Sequence, residues 1–128
     1  MLTLELPYPP SVNHYWRRVG RRTLISREGR AFRRAVCSAL AAMRLAATTD
    51  RLALRIDAHP PDRRRRDLDN LQKPMLDALE KAGLYLDDSQ IDLLVTRRMN
   101  ITPGGQAVIT VARCPPDRCP LCGGVYVV

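Results

Sequence analysis

The chain has 128 residues, enough for one compact domain and too few for two. Hydrophobic residues make up 45% of it, which excludes a disordered chain, and no run approaches the ~20 apolar residues that span a bilayer. Lys and Arg number 21 against 13 acids, for a net charge of +8 carried almost wholly by arginine.

Arginine pairs bidentately with phosphate, so a nucleic acid is the first partner to expect; a basic protein with no polyanion partner is the competing reading. Residues 1–10 lack a basic stretch followed by an apolar one, so no secretory signal is expected and a cytoplasmic location follows. The four cysteines are then expected as thiols or metal ligands rather than disulfides.

In chain order, Leu2–Leu6 alternates apolar and polar residues and predicts a strand, ended by Pro7, Pro9 and Pro10. Residues 11–18 are polar and predict a loop that carries Asn13, His14, Tyr15 and Trp16. Residues 19–25 predict a weak strand or hairpin arm broken by Gly20. Ser26 is a natural N-cap for a helix over 27–47, with Phe32, Ala35, Val36, Ala39, Leu40 and Met43 on its core face. Arg30, Arg33 and Arg34 fall mostly on the opposite side, and Cys37 reads as a small core residue.

Residues 52–58 alternate as a strand that Pro60 and Pro61 stop. A second helix is expected over 72–82, with Gly83 as its C-terminal cap. Pro74 fits there only in a first turn, which sets the start near Leu71 or later. Residues 91–101 predict a strand, residues 102–105 a Pro-Gly-Gly turn, and Gln106–Arg113 the antiparallel partner of the preceding strand. The sum is an α+β domain, two helices packed on one mixed sheet of about five strands.

The most informative segment is Asp62-Arg63-Arg64-Arg65-Arg66-Asp67-Leu68-Asp69-Asn70. On an extended chain Asp67 and Asp69 point to the same side. Their carboxylates repel each other, and a divalent cation removes the conflict. Oxygen donors of this kind suit Mg²⁺ or Mn²⁺. The competing reading is that Asp67 or Asp69 caps the following helix, and that a second pair, Asp87-Asp88, is an ordinary turn. Adjacent side chains on a strand face opposite ways, so one of that pair should join the first cluster. Asp88 is favoured, with Asp87 beside it.

Four arginines and Lys73 adjoin these carboxylates. Cations that gather phosphate next to acids that gather metal are what phosphodiester hydrolysis requires. A helix of about 11 residues, ~16 Å long, separates the two acidic pairs. They can meet through the return of residues 84–86 within one subunit, or across two subunits.

These residues resemble the RusA family of Holliday junction resolvases. The run from Pro61 to Lys73 is similar to the family's central motif almost letter for letter, and the likeness continues through Asp77-Ala78-Leu79 and Lys81-Ala82-Gly83 to Leu86-Asp87-Asp88 and Gln90. Pro9-Pro10-Ser11 with Asn13, Tyr15 and Arg17 is similar to the family's opening loop, and Ser26, Glu28 and Gly29 also match. The resemblance covers roughly residues 2–112.

It implies a homodimer that nicks two strands of like polarity symmetrically at a four-way DNA junction, using Mg²⁺ or Mn²⁺; no membrane partner is expected, given the lack of a long apolar run. It places the metal-site acids at Asp67, Asp69 and Asp88, with Asp87 nearby, and the essential lysine at Lys73. Arg63, Arg64, Arg65 and Arg66, with Arg30, Arg33 and Arg34, are then expected on backbone phosphates. Asn13, Tyr15 and Trp16 either meet nucleotides or pack their own loop. Pro74 and everything from Cys114 onward depart from the family pattern.

The chain thus divides into an endonuclease domain, 1–113, and a Cys-rich tail, 114–128. In the tail, Cys119-Pro120-Leu121-Cys122-Gly123-Gly124 has the spacing of a zinc knuckle, and Cys114 adds a third thiol. A structural Zn²⁺ there needs a fourth ligand, with His59, Cys37, His14 or a partner chain as candidates. A tail without metal is the alternative. Two other functions compete with a resolvase: a module that binds branched or single-stranded DNA without cutting, and a zinc-stabilised adaptor.

Overall fold

The computed structural model describes residues 1–115, 119, 121, 123 and 124. In chain order the elements are β1 (Leu2–Leu6), α1 (Val12–Tyr15), β2 (Trp16–Val19), β3 (Arg22–Ile25), α2 (Arg27–Met43), β4 (Leu52–His59) and α3 (Asp69–Lys81). A 3₁₀ turn (Asp88–Gln90), β5 (Ile91–Arg98) and β6 (Gln106–Arg113) follow. The α+β class is as expected from the alternation of periods, but the details differ in four places.

The region 11–18 is not a loop. The carbonyl of Ser11 accepts from the amides of His14 (2.9 Å) and Tyr15 (2.8 Å), closing the single turn of α1, and the chain then enters β2. β2 and β3 pair antiparallel as a separate two-stranded hairpin, so the main sheet has four strands rather than about five. Its order is β1-β6-β4-β5.

The expected hairpin between the last two strands does not form. β5 runs parallel to β4, and β6 lies antiparallel between β4 and β1. The crossover through α3 is long enough to return the chain to the same end of the sheet, which makes β5 a parallel neighbour of β4. After β5 the chain crosses the far end of β4: Met99 N donates to the Ala58 carbonyl (2.8 Å) and Thr102 N to that of Pro60 (2.9 Å). That crossing delivers β6 to the open side of β4, where Ala107 and Ile109 become fully buried.

The helix ends also shift. α2 stops at Met43, because Arg44 takes a left-handed conformation at φ 53° and its N–H bonds the Ala41 carbonyl. α3 starts at Asp69, earlier than expected, which puts the buried Pro74 inside it. The first turn is tightened by bonds from Asn70 N to Asp67 O and from Leu71 N to Leu68 O, both 3.3 Å. An interior proline costs a helix about 3 kcal/mol, and here its ring lies in the apolar interior alongside Leu71, Met75 and Leu79.

Leu4 and Leu6 of β1, Leu54 and Ile56 of β4, and Ile109 of β6 form one core with Val36 and Leu40 of α2 and with Met75, Ala78 and Leu79 of α3. The other side of β4 carries Asp57, 6% exposed, which accepts from Arg97 at 2.5 and 3.2 Å. No helix among the described residues is long and apolar enough to cross a membrane.

α1 and α2 meet where Ser26 caps α2. Ser26 Oγ accepts from Gly29 N (2.9 Å) and donates to the Tyr15 carbonyl (2.8 Å). A Cβ on Gly29 would stand 2.3 Å from that same carbonyl oxygen. Backbone cannot yield as a flexible side chain would, so Gly29→Ala must push α1 off α2. The expected loss is about 2 kcal/mol, seen as a lower denaturant midpoint at unchanged m.

Candidate active site

The proline-rich stretch after β1 and the arginine run after β4 face each other across an open cleft of about 770 Å³. Tyr8, Pro9, Pro10, Ser11 and His14 line one wall; Arg64, Arg65, Arg66, Asp67, Asn70 and Leu71 line the other. Asp62 folds the arginine run. Its Oδ1 accepts from the Arg66 guanidinium (2.7 Å) and from Arg64 N (2.9 Å), and these two bonds, Arg66 first, hold its carboxyl down at about 2.

Arg66 is thereby committed to the loop. Its guanidinium also lies 5.8 Å from the centre of the Tyr8 ring, and its carbonyl accepts from Arg98. Arg64 and Arg65 line the cleft and are exposed, as are Arg63 before them and Asp67 after them.

α3 continues from this wall. At ~100° per residue, Asp69, Lys73, Leu76 and Glu80 share a stripe about 60° wide. Further along it, Gly83 (φ 85°) ends the helix as the sequence suggests. Gly83 N bonds the Glu80 carbonyl and Leu84 N bonds that of Leu79, both at 3.0 Å, which is a Schellman reversal. The reversal buries Tyr85, whose hydroxyl donates to the Leu76 carbonyl (2.6 Å), and carries Asp87 and Asp88 back along the helix.

Asp88 meets Lys73 there, Oδ2 to Nζ 3.3 Å, and its amide donates to Glu80 Oε1 at 3.0 Å. Asp87 caps the 3₁₀ turn, accepting from Ser89 N (2.8 Å) while the Gln90 side chain accepts from Asp87 N (3.0 Å). Bonds from Ser89 and the charge of Lys73 hold the Asp87 carboxyl below its ordinary value.

Glu80, Asp87 and Asp88 each offer a ligand oxygen within 4.8 Å of the others. Glu80 was not singled out from the sequence, although its place on the stripe of Asp69 and Lys73 was a readable signal. Asp67 and Asp69 stand outside this trio, toward the cleft, and Lys73 lies between the two acidic groups, about 6 Å of helix rise beyond Asp69. Leu68 occupies the N-cap of α3, so neither Asp67 nor Asp69 serves as its cap.

Lys73 does not pair with Asp77 one turn on. Asp77 Oδ2 is taken by Arg33 (2.7 Å from Nη2) and by the Tyr15 hydroxyl, which also accepts from Arg33 Nε at 2.8 Å. Tyr15 is fully buried, and its hydroxyl is shifted strongly upward by burial and by Asp77. Arg33, expected on backbone phosphate, and Tyr15, for which nucleotide contact and packing were both open, therefore join α1, α2 and α3 from within. Arg30, Arg34 and Asn13 are exposed.

The donor set around Lys73 is all carboxylate and partly solvent-facing. That fits a hard divalent cation such as Mg²⁺, which binds one or two carboxylates and keeps waters.

A family model described as Endodeoxyribonuclease RusA matches residues 7–111, a span that holds both acidic groups and Lys73. A crossover junction endodeoxyribonuclease RusA of Shigella sonnei (strain Ss046) is 45% identical over 113 residues, covering 85% of this chain and 92% of its own length. The protein of the same name from Escherichia coli (strain K12) is 44% identical over the same coverage. That of Enterobacteria phage 82 is 45% identical over 109 residues, 84% of this chain and 91% of its own.

Proposed function

The chain belongs to the RusA endodeoxyribonuclease family, and from that we propose that it is a Mg²⁺-dependent crossover junction endodeoxyribonuclease that resolves Holliday junctions by paired, symmetric nicks. The observation that carries the reading is the continuity of the family match across the arginine run, the acids and Lys73.

Asp67, Asp69 and Asp88, with Asp87 beside them, are the residues that would hold Mg²⁺ or Mn²⁺. Such an ion supplies an acidified water and charge stabilisation at the phosphate. Lys73, which contacts Asp88, is placed to neutralise charge that develops on the phosphate. Glu80 fixes the Asp88 backbone through its amide. Arg63, Arg64, Arg65, Arg30 and Arg34 hold the sugar-phosphate backbone without reading sequence, and Asn13 faces the same solvent as they do.

The enzyme acts as a homodimer, whose two-fold axis matches that of a four-way junction and sets two sites on equivalent strands. Residues 1–113 form the nuclease domain, which works in the cytoplasm on junction DNA.

A synthetic four-way junction tests this directly. With Mg²⁺ the protein is expected to release paired linear duplexes with nicks at symmetric positions; with chelator, only a shifted complex. A complex that never cuts, in Mg²⁺ or Mn²⁺, would make the chain a binding module and refute the nuclease reading.

A further inference from the structure

The family match ends at residue 111, and three thiols follow it: Cys114, Cys119 and Cys122. Cys114 is tied to the end of the sheet. Its amide donates to the Arg51 carbonyl (2.9 Å), and the preceding Arg113 pairs with Asp50 at 3.1 Å.

Beyond it, backbone bonds join Cys119 to Gly123 and Gly124. Cys119 N donates to the Gly124 carbonyl (2.6 Å), Gly123 N donates to the Cys119 carbonyl (2.8 Å), and Gly123 takes φ 73°, a conformation that favours glycine. Within that reversal Leu121 N points at Cys119 Sγ, 3.4 Å away. An amide aimed at sulfur is a weak bond to a thiol and a stronger one to a thiolate, because the acceptor then carries charge. A thiolate held in a tight turn, with two residues between it and a second cysteine, supplies with that cysteine half of a tetrahedral metal site. Cys122 itself lies outside the described residues.

We propose that Cys114, Cys119 and Cys122 bind one structural Zn²⁺ per chain, separate from the carboxylate site. The donor chemistry keeps the two ions apart: soft thiolates select zinc, and hard carboxylates select Mg²⁺. The histidines considered as a fourth ligand do not reach. Cys114 lies beside Arg51 at the start of β4, whereas His59 ends that strand, roughly 23 Å away at 3.3 Å per residue. His14 bonds Ser11 Oγ in the cleft, also at the far end. The fourth ligand of a closed structural site then comes from a residue other than these two histidines.

The site pins the tail near the turn that carries Asp88, because Arg51 also donates to the Ser89 carbonyl (2.7 Å) and pairs with Asp92.

The test is elemental analysis of the full chain purified without chelator. About one zinc per chain is expected, lost in Cys119→Ser and Cys122→Ser and kept in Cys37→Ser. Replacement by Co²⁺ should give thiolate-to-cobalt charge-transfer absorption that the same two variants lose. The wild-type protein supplies a check independent of how any variant folds: Cys114, Cys119 and Cys122 should resist a thiol reagent until a strong chelator is added. Zinc no higher than in the Cys119→Ser/Cys122→Ser variant, three thiols that react at once, or a Cys119–Cys122 disulfide would each overturn the proposal. None of these readouts depends on junction cleavage, so they stand apart from the nuclease reading.

Discussion

Asp67→Asn and Asp69→Asn are expected to bind a four-way junction as tightly as the parent or more tightly, and to cut it at least about a hundredfold more slowly. Each change removes one negative charge and one metal oxygen while keeping the side chain's size. Removal of a charge that faces phosphate favours binding, whereas loss of a metal ligand weakens the ion that activates water. Gel shift in chelator and single-turnover cleavage in Mg²⁺ separate the two effects. Cleavage at the parental rate would show that these aspartates hold no catalytic ion.

Asp69→Asn combined with Asp88→Asn decides how the two acidic groups cooperate. Lys73 lies one turn beyond Asp69 and already contacts Asp88, which favours a site completed within one subunit. Mixed dimers of Asp69→Asn and Asp88→Asn should then be inactive at both positions. If the groups instead combine across the dimer, mixing restores one intact site, and single nicks appear.

Arg33→Ala is expected to cost roughly 3 kcal/mol of stability, about 10 °C in Tm, where Arg34→Ala costs almost nothing. Arg33 and Asp77 are 26% and 15% exposed, so the pair is shielded enough that deletion of the guanidinium leaves a largely buried carboxylate with the tyrosine hydroxyl as its remaining donor and no countercharge. Asp77→Ala should cost a similar amount for the complementary reason. Arg34, exposed on the same helix, should report on DNA instead. Its loss should weaken junction binding and flatten the dependence of log affinity on log salt by about 0.9 for each phosphate contact removed. Equal stability of the two arginine variants would mean that the Tyr15–Arg33–Asp77 cluster does not hold the helices together.

The cluster also shows why charge patterning is a poor guide to individual arginines. Arg30, Arg33 and Arg34 are indistinguishable as letters in an amphipathic helix. Only the arrival of Asp77 from α3 and Tyr15 from α1, 44 and 18 residues distant in the chain, turns one of them inward. Similarly, Arg66 belongs to the same run as Arg63, Arg64 and Arg65, and Asp62 and Tyr8 withdraw it from the rim.

Much was determined by local chemistry and could be read directly. The core face of α2, its Ser26 cap, the alternation of β4 and the glycine that ends α3 depend on side-chain period and backbone conformation within a few residues. The acidic and basic character of the 62–73 segment is equally local, and it carried the family. What the tertiary structure alone decided were relations between distant segments. It placed β6 beside β4 instead of β5, built α1 around a buried tyrosine, brought Glu80 and Asp88 together, and paired Lys73 with Asp88 and Arg33 with Asp77. Each of these depends on the route of the chain through α3 and its reversal at Gly83. Hydrophobic period says which face a segment buries, but not which distant neighbour it is buried against.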